Sequence, residues 1–299
     1  MHRSKAAVVL IFVTILFSTS LFAQSVLPAR WEELTGPDFI QAIQKAQGTC
    51  MLPFGIIEKH GPQLPLGTDL LDVRYASEQA AKQEYAVIFP PYYFGQIFEA
   101  RHQPGTLAYS LKLQLQLLQE TVAEMARNGC KKIAIVNGHG GNDSLLPLFA
   151  QSQMASKRDY VVYVIPISIR RAPSGPVPTT ATIKDKLDMH AGQTETSTMM
   201  VAAPNLVHMD RAKEQSGADQ ARLSALPESV YTGIWWYARF PNHYSGDGSL
   251  GTKELGEYTM KNWVDGIAET VKVIKADQTS LKLQNEFYEQ AQHPLETKQ

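Results

Sequence analysis

The chain has 299 residues, of which 44% are hydrophobic, and its 28 basic and 29 acidic side chains leave a formal net charge of −1. That apolar content supplies a sizeable core for one large domain or two small ones. The balanced charge excludes the electrostatic footprint of a protein that binds nucleic acid or an anionic membrane surface, so a small neutral or zwitterionic molecule is the expected partner.

At the N-terminus, Arg3 and Lys5 precede an apolar stretch from Ala6 to Phe22, which closes on the small residues around Ala23-Gln24-Ser25. The pattern predicts a signal peptide over residues 1–23, leaving 24–299 as the mature chain in a secreted or periplasmic location. An uncleaved anchor is the rival, since the stretch approaches the ~18 residues of a spanning helix, but Thr14, Ser18, Thr19 and Ser20 weaken it. No stable membrane association is expected after cleavage.

Trp31 to Gln47 predicts a short amphipathic helix that starts near Pro37 and is capped by Thr35 or Asp38. A first buried strand over Cys50 to Ile57 follows, then a helix from Asp69 to about Gln83 and a second short strand over Tyr85 to Phe89, halted by Pro90-Pro91. Next come a long helix from Leu111 to Asn128 stopped by Gly129, a strand over Ile133 to Val136, and a helix capped by Asn142 or Asp143 that runs to about Ser156. Tyr160 to Ile167 reads as a further strand, and Arg170 to Leu187 as a long polar loop. A helix is expected near Glu195, Asp210 to Pro241 is ambiguous, and Lys253 to about Lys275 closes the fold before a charged tail from Asp277. Alternation of apolar strands with helices predicts a single α/β domain whose mostly parallel sheet is covered on both faces.

Candidate chemistry gathers just beyond the carboxyl ends of two of these strands, where open α/β sheets place their ligand crevices. Glu58 and His60 are two residues apart and point the same way in an extended segment. The Pro/Gly-stiffened loop Gly61-Pro-Gln-Leu-Pro-Leu-Gly-Thr then returns Asp69 to the same region. His139 stands in Asn137-Gly-His-Gly-Gly-Asn142, directly after a strand, and His190-Ala-Gly-Gln-Thr-Glu195 offers a further imidazole and carboxylate. Taken singly, a Glu-x-His pair is an ordinary surface loop, Asn-Gly-His-Gly-Gly-Asn a glycine turn and Glu195 a helix-start acid. Their convergence without a thiolate suits Zn²⁺, Mn²⁺ or Fe²⁺, and two such ions about 3.5 Å apart would make a hydrolytic centre. Gly140 and Gly141 carry backbone N–H groups that could stabilise an oxyanion. Trp235, Trp236 and Tyr237 read either as a substrate wall or, more ordinarily, as core or subunit interface.

Cys50 and Cys130 lie eight residues before Glu58 and nine before His139. At roughly 3.3 Å per extended residue they belong at the far end of the sheet, some ~25 Å from the ligands. Two buried free thiols are the favoured expectation, and a disulfide the alternative if the two strands are neighbours.

The segments Gly55-Ile-Ile-Glu-Lys-His-Gly-Pro-Gln-Leu-Pro-Leu-Gly-Thr-Asp69, Pro104-Gly-Thr106, Asn137–Asn142, His190–Ser197 and Gly246-Asp-Gly-Ser-Leu-Gly-Thr252, in this order, resemble the creatininase (creatinine amidohydrolase) family over about residues 30 to 275. The resemblance implies a three-layer α/β/α fold holding two divalent metal ions, Zn²⁺ first with Mn²⁺ or Fe²⁺ as alternatives. It also implies hydrolysis of a non-peptide or cyclic amide C–N bond and a homo-oligomer, often a hexamer. Carried across, Glu58 and His139 bind one ion, His60 the other, and Asp69 bridges them, while His190 handles protons near the leaving nitrogen. One position departs from the pattern: creatininase itself has a glutamate ligand two residues after the histidine matching His139, and here that position is Gly141. Glu195, placed in both the metal and the catalytic set, is the expected substitute, and otherwise the second ion is held weakly. The departure points away from creatinine and toward the Gly-Gly branch, whose members act on formamides, peptides and other amides. A secreted metal- or solute-binding protein without turnover is the reading from another class.

Overall fold

The computed structural model describes residues 27–171, 178–227 and 229–297. The expected signal peptide over 1–23, and with it the rival anchor, lies outside them. Among the described residues no helix is long and apolar enough to cross a membrane.

Four strands, β1 (Thr49–Phe54), β2 (Val87–Ile88), β3 (Lys132–Asn137) and β4 (Val161–Ile165), form a parallel sheet in the order β2-β1-β3-β4. β1 and β3 pair along their full length, from Thr49 opposite Lys132 to Phe54 opposite Asn137. The helices are α1 (Gly36–Lys45), α2 (Thr68–Gln83), α3 (Leu111–Arg127), α4 (Leu145–Ser152), α5 (Gln193–Ala202), α6 (Trp235–Arg239), α7 (Lys253–Ala276) and α8 (Ser280–Gln292).

Side chains alternate across a strand, and both faces of this sheet are apolar. Cys50, Leu52, Phe54, Ile133 and Ile135 pack against Ala42 and Ala46 at α1, Leu118, Val122 and Met125 of α3, and Leu146 and Phe149 of α4. Met51, Ala134 and Val136 face Val73, Ala76 and Ala80 of α2 and Trp263, Ile267 and Val271 of α7. Each large side chain buried in these cores contributes on the order of 1.5–3 kcal/mol. The result is the three-layer α/β/α arrangement expected from the sequence.

Helix α1 begins as predicted, with Thr35 Oγ1 accepting from the Asp38 N–H at 3.3 Å. The expected cap of α4 is not made. Asn142 Oδ1 accepts from the Gln96 N–H (3.0 Å) and Asp143 Oδ1 from Asn137 Nδ2 (2.9 Å), so both side chains hold a 3-10 turn over Gly140–Asp143. The polar loop after Arg170 contains a further 3-10 turn over Thr179–Ala181, and residues 172–177 lie outside the described ones. Beyond Asp277 the expected charged tail is mostly α8. Its inward stripe of Leu281, Gln284, Asn285 and Tyr288 has helical spacing, with polar members that hide it from a hydrophobicity reading. Gln284 Nε2 donates to Tyr160 O (2.9 Å) and the Tyr288 hydroxyl to Gln153 O (2.8 Å).

Cys50 and Cys130 are joined in a disulfide across 80 residues, which corrects the favoured expectation of free thiols. The reason is local. Gly129 takes φ +101° before β3, and the Lys131 N–H donates to Gly48 O (2.8 Å), so the chain entering β3 is pinned beside the start of β1.

Candidate metal centre

Beyond Phe54 the chain leaves the sheet and forms a tight loop in which the Glu58 N–H donates to Leu66 O (2.9 Å) and the Leu64 N–H to His60 O (3.3 Å). The loop delivers Asp69 to the first turn of α2, facing the segment that supplied Glu58 and His60. After β3, Gly138 allows the chain to lie against α2, because a Cβ there would stand 2.7 Å from Val73 Cβ and 3.0 Å from Asp69 O. His139 thereby comes within reach of Asp69. His190 and Glu195 arrive at the start of α5, where the His190 N–H donates to Ser245 O (3.2 Å) and the Ser245 N–H to His190 O (3.0 Å).

The structure brings all six sequence-predicted residues together, each buried. Two groups of three converge on Asp69: Glu58, Asp69 and His139, and His60, Asp69 and Glu195, with the ligand atoms of each group within 4.8 Å of one another. Asp69 Oδ2 lies 2.9 Å from His139 Nδ1, and its Oδ1 lies 3.1 Å from His60 Nε2. Glu58 Oε1 is also 2.9 Å from His139 Nδ1, and Glu195 Oε2 is 3.8 Å from His60 Nε2.

Hydrogen bonds at the far side of each ring fix which nitrogen faces the cluster. His139 Nε2–H donates to Gln96 O (3.0 Å), and His60 Nδ1–H to Glu58 O (3.2 Å). The inward nitrogens of neutral rings would then present lone pairs to carboxylate oxygens, which is repulsive unless a cation or an extra proton lies between them. Glu58 Oε1 and Asp69 Oδ2 are buried and meet no donor in hydrogen-bonding geometry. Orphaned acceptors around an imidazole lone pair are what a divalent cation satisfies, and the all-oxygen-and-nitrogen donor set suits Zn²⁺ or Mn²⁺. Without metal, burial disfavours the charged ring of His60, but Asp69, Glu58 and Glu195 outweigh it and raise its pKa to about 10. Burial likewise disfavours charged His139, but Glu58 and Asp69 hold its pKa well above the ordinary value. Asp69, despite burial, is held well below the usual carboxylate range by His60 and His139.

Glu195 is oriented from both sides, with Oε2 accepting from the Ala191 N–H (2.6 Å) and Oε1 from Arg170 Nη2 (3.3 Å). His190 Nε2–H donates to Lys59 O (2.8 Å), which leaves Nδ1 on the side of Glu195 Oε2 at 3.9 Å. Burial, then the positive charge on His60, presses the His190 pKa down to about 4, so this ring is neutral.

Glu58, His139, His190 and Glu195 line one side of a cavity of about 400 Å³, near the lower end of the range for small-molecule sites. Gly140, Gly141, Trp235 and Trp236 also line it, whereas Tyr237 turns away and packs edge-on against His102 at 4.8 Å. His243 is a site residue that the sequence reading missed. It is buried, lines the same cavity and donates from Nε2 to Glu58 Oε2. Its only sequence signal is its position three residues before Gly246-Asp-Gly, inside a stretch with no clear periodicity.

The family model for Creatininase, described as creatinine amidohydrolase, matches residues 32–271. The chain belongs to the creatininase family. It is 28% identical over 237 residues to a mycofactocin precursor peptide peptidase of Mycolicibacterium smegmatis, covering 77% of this chain and 87% of that one. It is 23% identical over 261 residues to the creatinine amidohydrolase of Pseudomonas putida, covering 80% and 95%. A solved structure described as Creatininase Mn aligns with a TM-score of 0.65 at 21% identity, covering 83% of this chain and 99% of the other, and a creatininase of Zn-Zn type aligns at 0.64 and 22%, covering 83% and 99%. Relative to the creatininase pattern, Gly141 has no space for a ligand: a Cβ there would stand 2.4 Å from His139 Nε2. Glu195 stands by His60 instead.

Proposed function

We propose that this protein is an exported, dinuclear metal-dependent amidohydrolase that cleaves the C–N bond of a small amide. The observation that carries the reading is the pair of three-residue groups sharing Asp69, of which Glu58, His139 and Glu195 line a cavity that also holds a neutral His190. Glu58, His139 and Asp69 would hold one ion, and His60, Glu195 and Asp69 the other. Divalent ions held there lower the pKa of water toward ~7 and polarise a carbonyl.

The chain's own groups do the rest. His190, anchored through Nε2–H, keeps Nδ1 available to take a proton from the attacking water and return it to the departing nitrogen. Gly140 and Gly141 form a wall without side chains beside His139, where an amide can approach closely. Trp235 and Trp236 exclude water and bound the substrate's size.

Relatives act on substrates as different as creatinine and a precursor peptide, judged by their names, so both non-peptide amides and short peptides belong in the test. A non-peptide or cyclic amide is our choice, given the modest cavity. Export is supported by the Cys50–Cys130 disulfide, which persists in oxidising compartments. Assembly into a homo-oligomer, a hexamer by family likeness, is supported by the exposed Val230, Tyr231 and Ile234.

Elemental analysis of the purified mature chain, followed by a panel of amides, lactams and peptides scored for amine release, tests the proposal. Two ions per chain and hydrolysis of any member are expected. One ion or none, with tight retention of a solute and no turnover, would identify a binding protein on the same fold.

A further inference from the structure

Glu58 is the candidate ligand whose two oxygens have different surroundings. Oε1 is buried, lacks a hydrogen-bond donor and lies 2.9 Å from His139 Nδ1. Oε2 accepts from His243 Nε2–H. The proton on that nitrogen is assigned by the other end of the ring, because the indole Nε1–H of Trp236, which can only donate, points at His243 Nδ1 over 2.8 Å. His243 itself holds φ +50°, an uncommon conformation for a residue with a side chain, and its N–H donates to Phe240 O (2.9 Å). The ring is thus fixed by backbone, indole and carboxylate together. Trp236 is also a wall of the cavity and packs edge-on against His190, with ring centroids 5.9 Å apart.

We propose that Trp236 and His243 are positioning residues: the indole sets the His243 tautomer, and His243 occupies Glu58 Oε2 so that Glu58 offers a single oxygen, Oε1, to the ion it shares with His139 and Asp69. The inference rests on the dinuclear reading and goes beyond it, since it specifies the binding mode of one ligand and two residues that control it. Without the hydrogen bond, both Glu58 oxygens are free to bind. The carboxylate then swings toward a bidentate mode, which adds one to the coordination number and weakens the fit of His139. Outer-shell partners of this kind typically alter metal affinity about 10–100-fold.

The experiment loads the full mature protein with Co²⁺, whose visible absorption falls as coordination number rises, and measures metal retention against a chelator. His243→Phe keeps the ring and removes both nitrogens, while Trp236→Phe keeps an aromatic wall and removes only the indole N–H. Expected are a weaker cobalt band and a loss of affinity of about 10-fold or more for one of two ions in His243→Phe, and a smaller change of the same sign in Trp236→Phe, with unchanged far-ultraviolet circular dichroism. Cobalt spectra and affinities within twofold of wild type in a folded His243→Phe protein overturn the proposal. If that variant does not fold, an unchanged spectrum in Trp236→Phe overturns it alone. Failure of the wild-type protein to bind cobalt at all removes the dinuclear reading together with this one, whereas binding with unchanged variant spectra removes this one only.

Discussion

Arg170 donates from Nη2 to Glu195 Oε1 across 3.3 Å, while Oε2, which accepts from the Ala191 N–H, lies 3.8 Å from His60 Nε2. Both side chains are buried, and the guanidinium also lies over the Trp263 ring at 5.5 Å. Glu195→Gln should lower the affinity of the second ion by at least about 100-fold and leave the first in place, because a neutral amide oxygen is a much poorer ligand. Arg170→Met should cost the same ion about 10-fold by releasing the orientation. Metal counting on the two variants checks this, and unchanged content in Glu195→Gln would assign the second ion another partner.

Asp69→Ala should remove both ions, or reduce activity by about 10³-fold or more, since two cations at close range need the bridging charge. Asp69→Asn should be almost as damaging. Elemental analysis with a rate measurement decides it: two retained ions and a tenth of the wild-type rate would sink the bridging role.

His190→Ala should keep its metals yet lose turnover, most severely for substrates with poor amine leaving groups, because the role proposed for the ring is to move a proton. Loss of an ion instead would make it a ligand, in the group it forms with Glu58 and His60. Activated amides should partly escape the loss. Equal impairment along a leaving-group series would count against the proton-transfer role.

Metal affinity should rise with pH. Ligation needs neutral imidazoles, while in the metal-free protein His60 stays protonated up to about pH 10, so loading at neutral pH must expel its proton. Each proton displaced corresponds to about a tenfold gain in affinity per pH unit. The stability of the metal-free protein should move the other way. The raised pKa of His60 contributes stability that is fully present below its unfolded value of 6.5 and lost as pH rises through about 10. Chelator competition and thermal melts at pH 6.5, 7.5 and 8.5 follow both, and a flat affinity profile would contradict the protonated state.

Removing the disulfide by Cys50→Ala with Cys130→Ala should cost about 2–4 kcal/mol, the usual range for a bridge that closes a long loop. Activity at low temperature should survive, as the thiols stand at the opposite end of the strands from the ligands. Thiol titration of the denatured, unreduced protein should find none free, and two free thiols would refute the bridge.

Much of this site is readable in one dimension because each ligand follows an apolar strand or opens a helix, and strand ends in an open sheet are where ligands gather. Glu58, His60, Asp69 and His139 therefore share a location that spacing alone suggests. His243 does not. It reaches Glu58 across 185 residues from a segment with no periodicity, and its orientation depends on the indole of Trp236. The disulfide was open at the sequence level for a related reason: pairing depends on which strands are neighbours, and β1 and β3 are neighbours only through a crossover. Helix α8 is hidden because its inward stripe mixes Leu281 and Tyr288 with Gln284 and Asn285, and Gln284 and Tyr288 seat it by hydrogen bonds as well as by burial.

Gly141 constrains which side chains can serve the centre. In this backbone an added side chain would strike the His139 ring, so a glutamate could be placed there only if His139 gave up its bond to Gln96. On the dinuclear proposal, an acid at position 141 and the acid at Glu195 are thus not freely exchangeable. A substitution at Trp235 would reshape the cavity without touching His139, whereas a new ligand at Gly141 must first displace that ring.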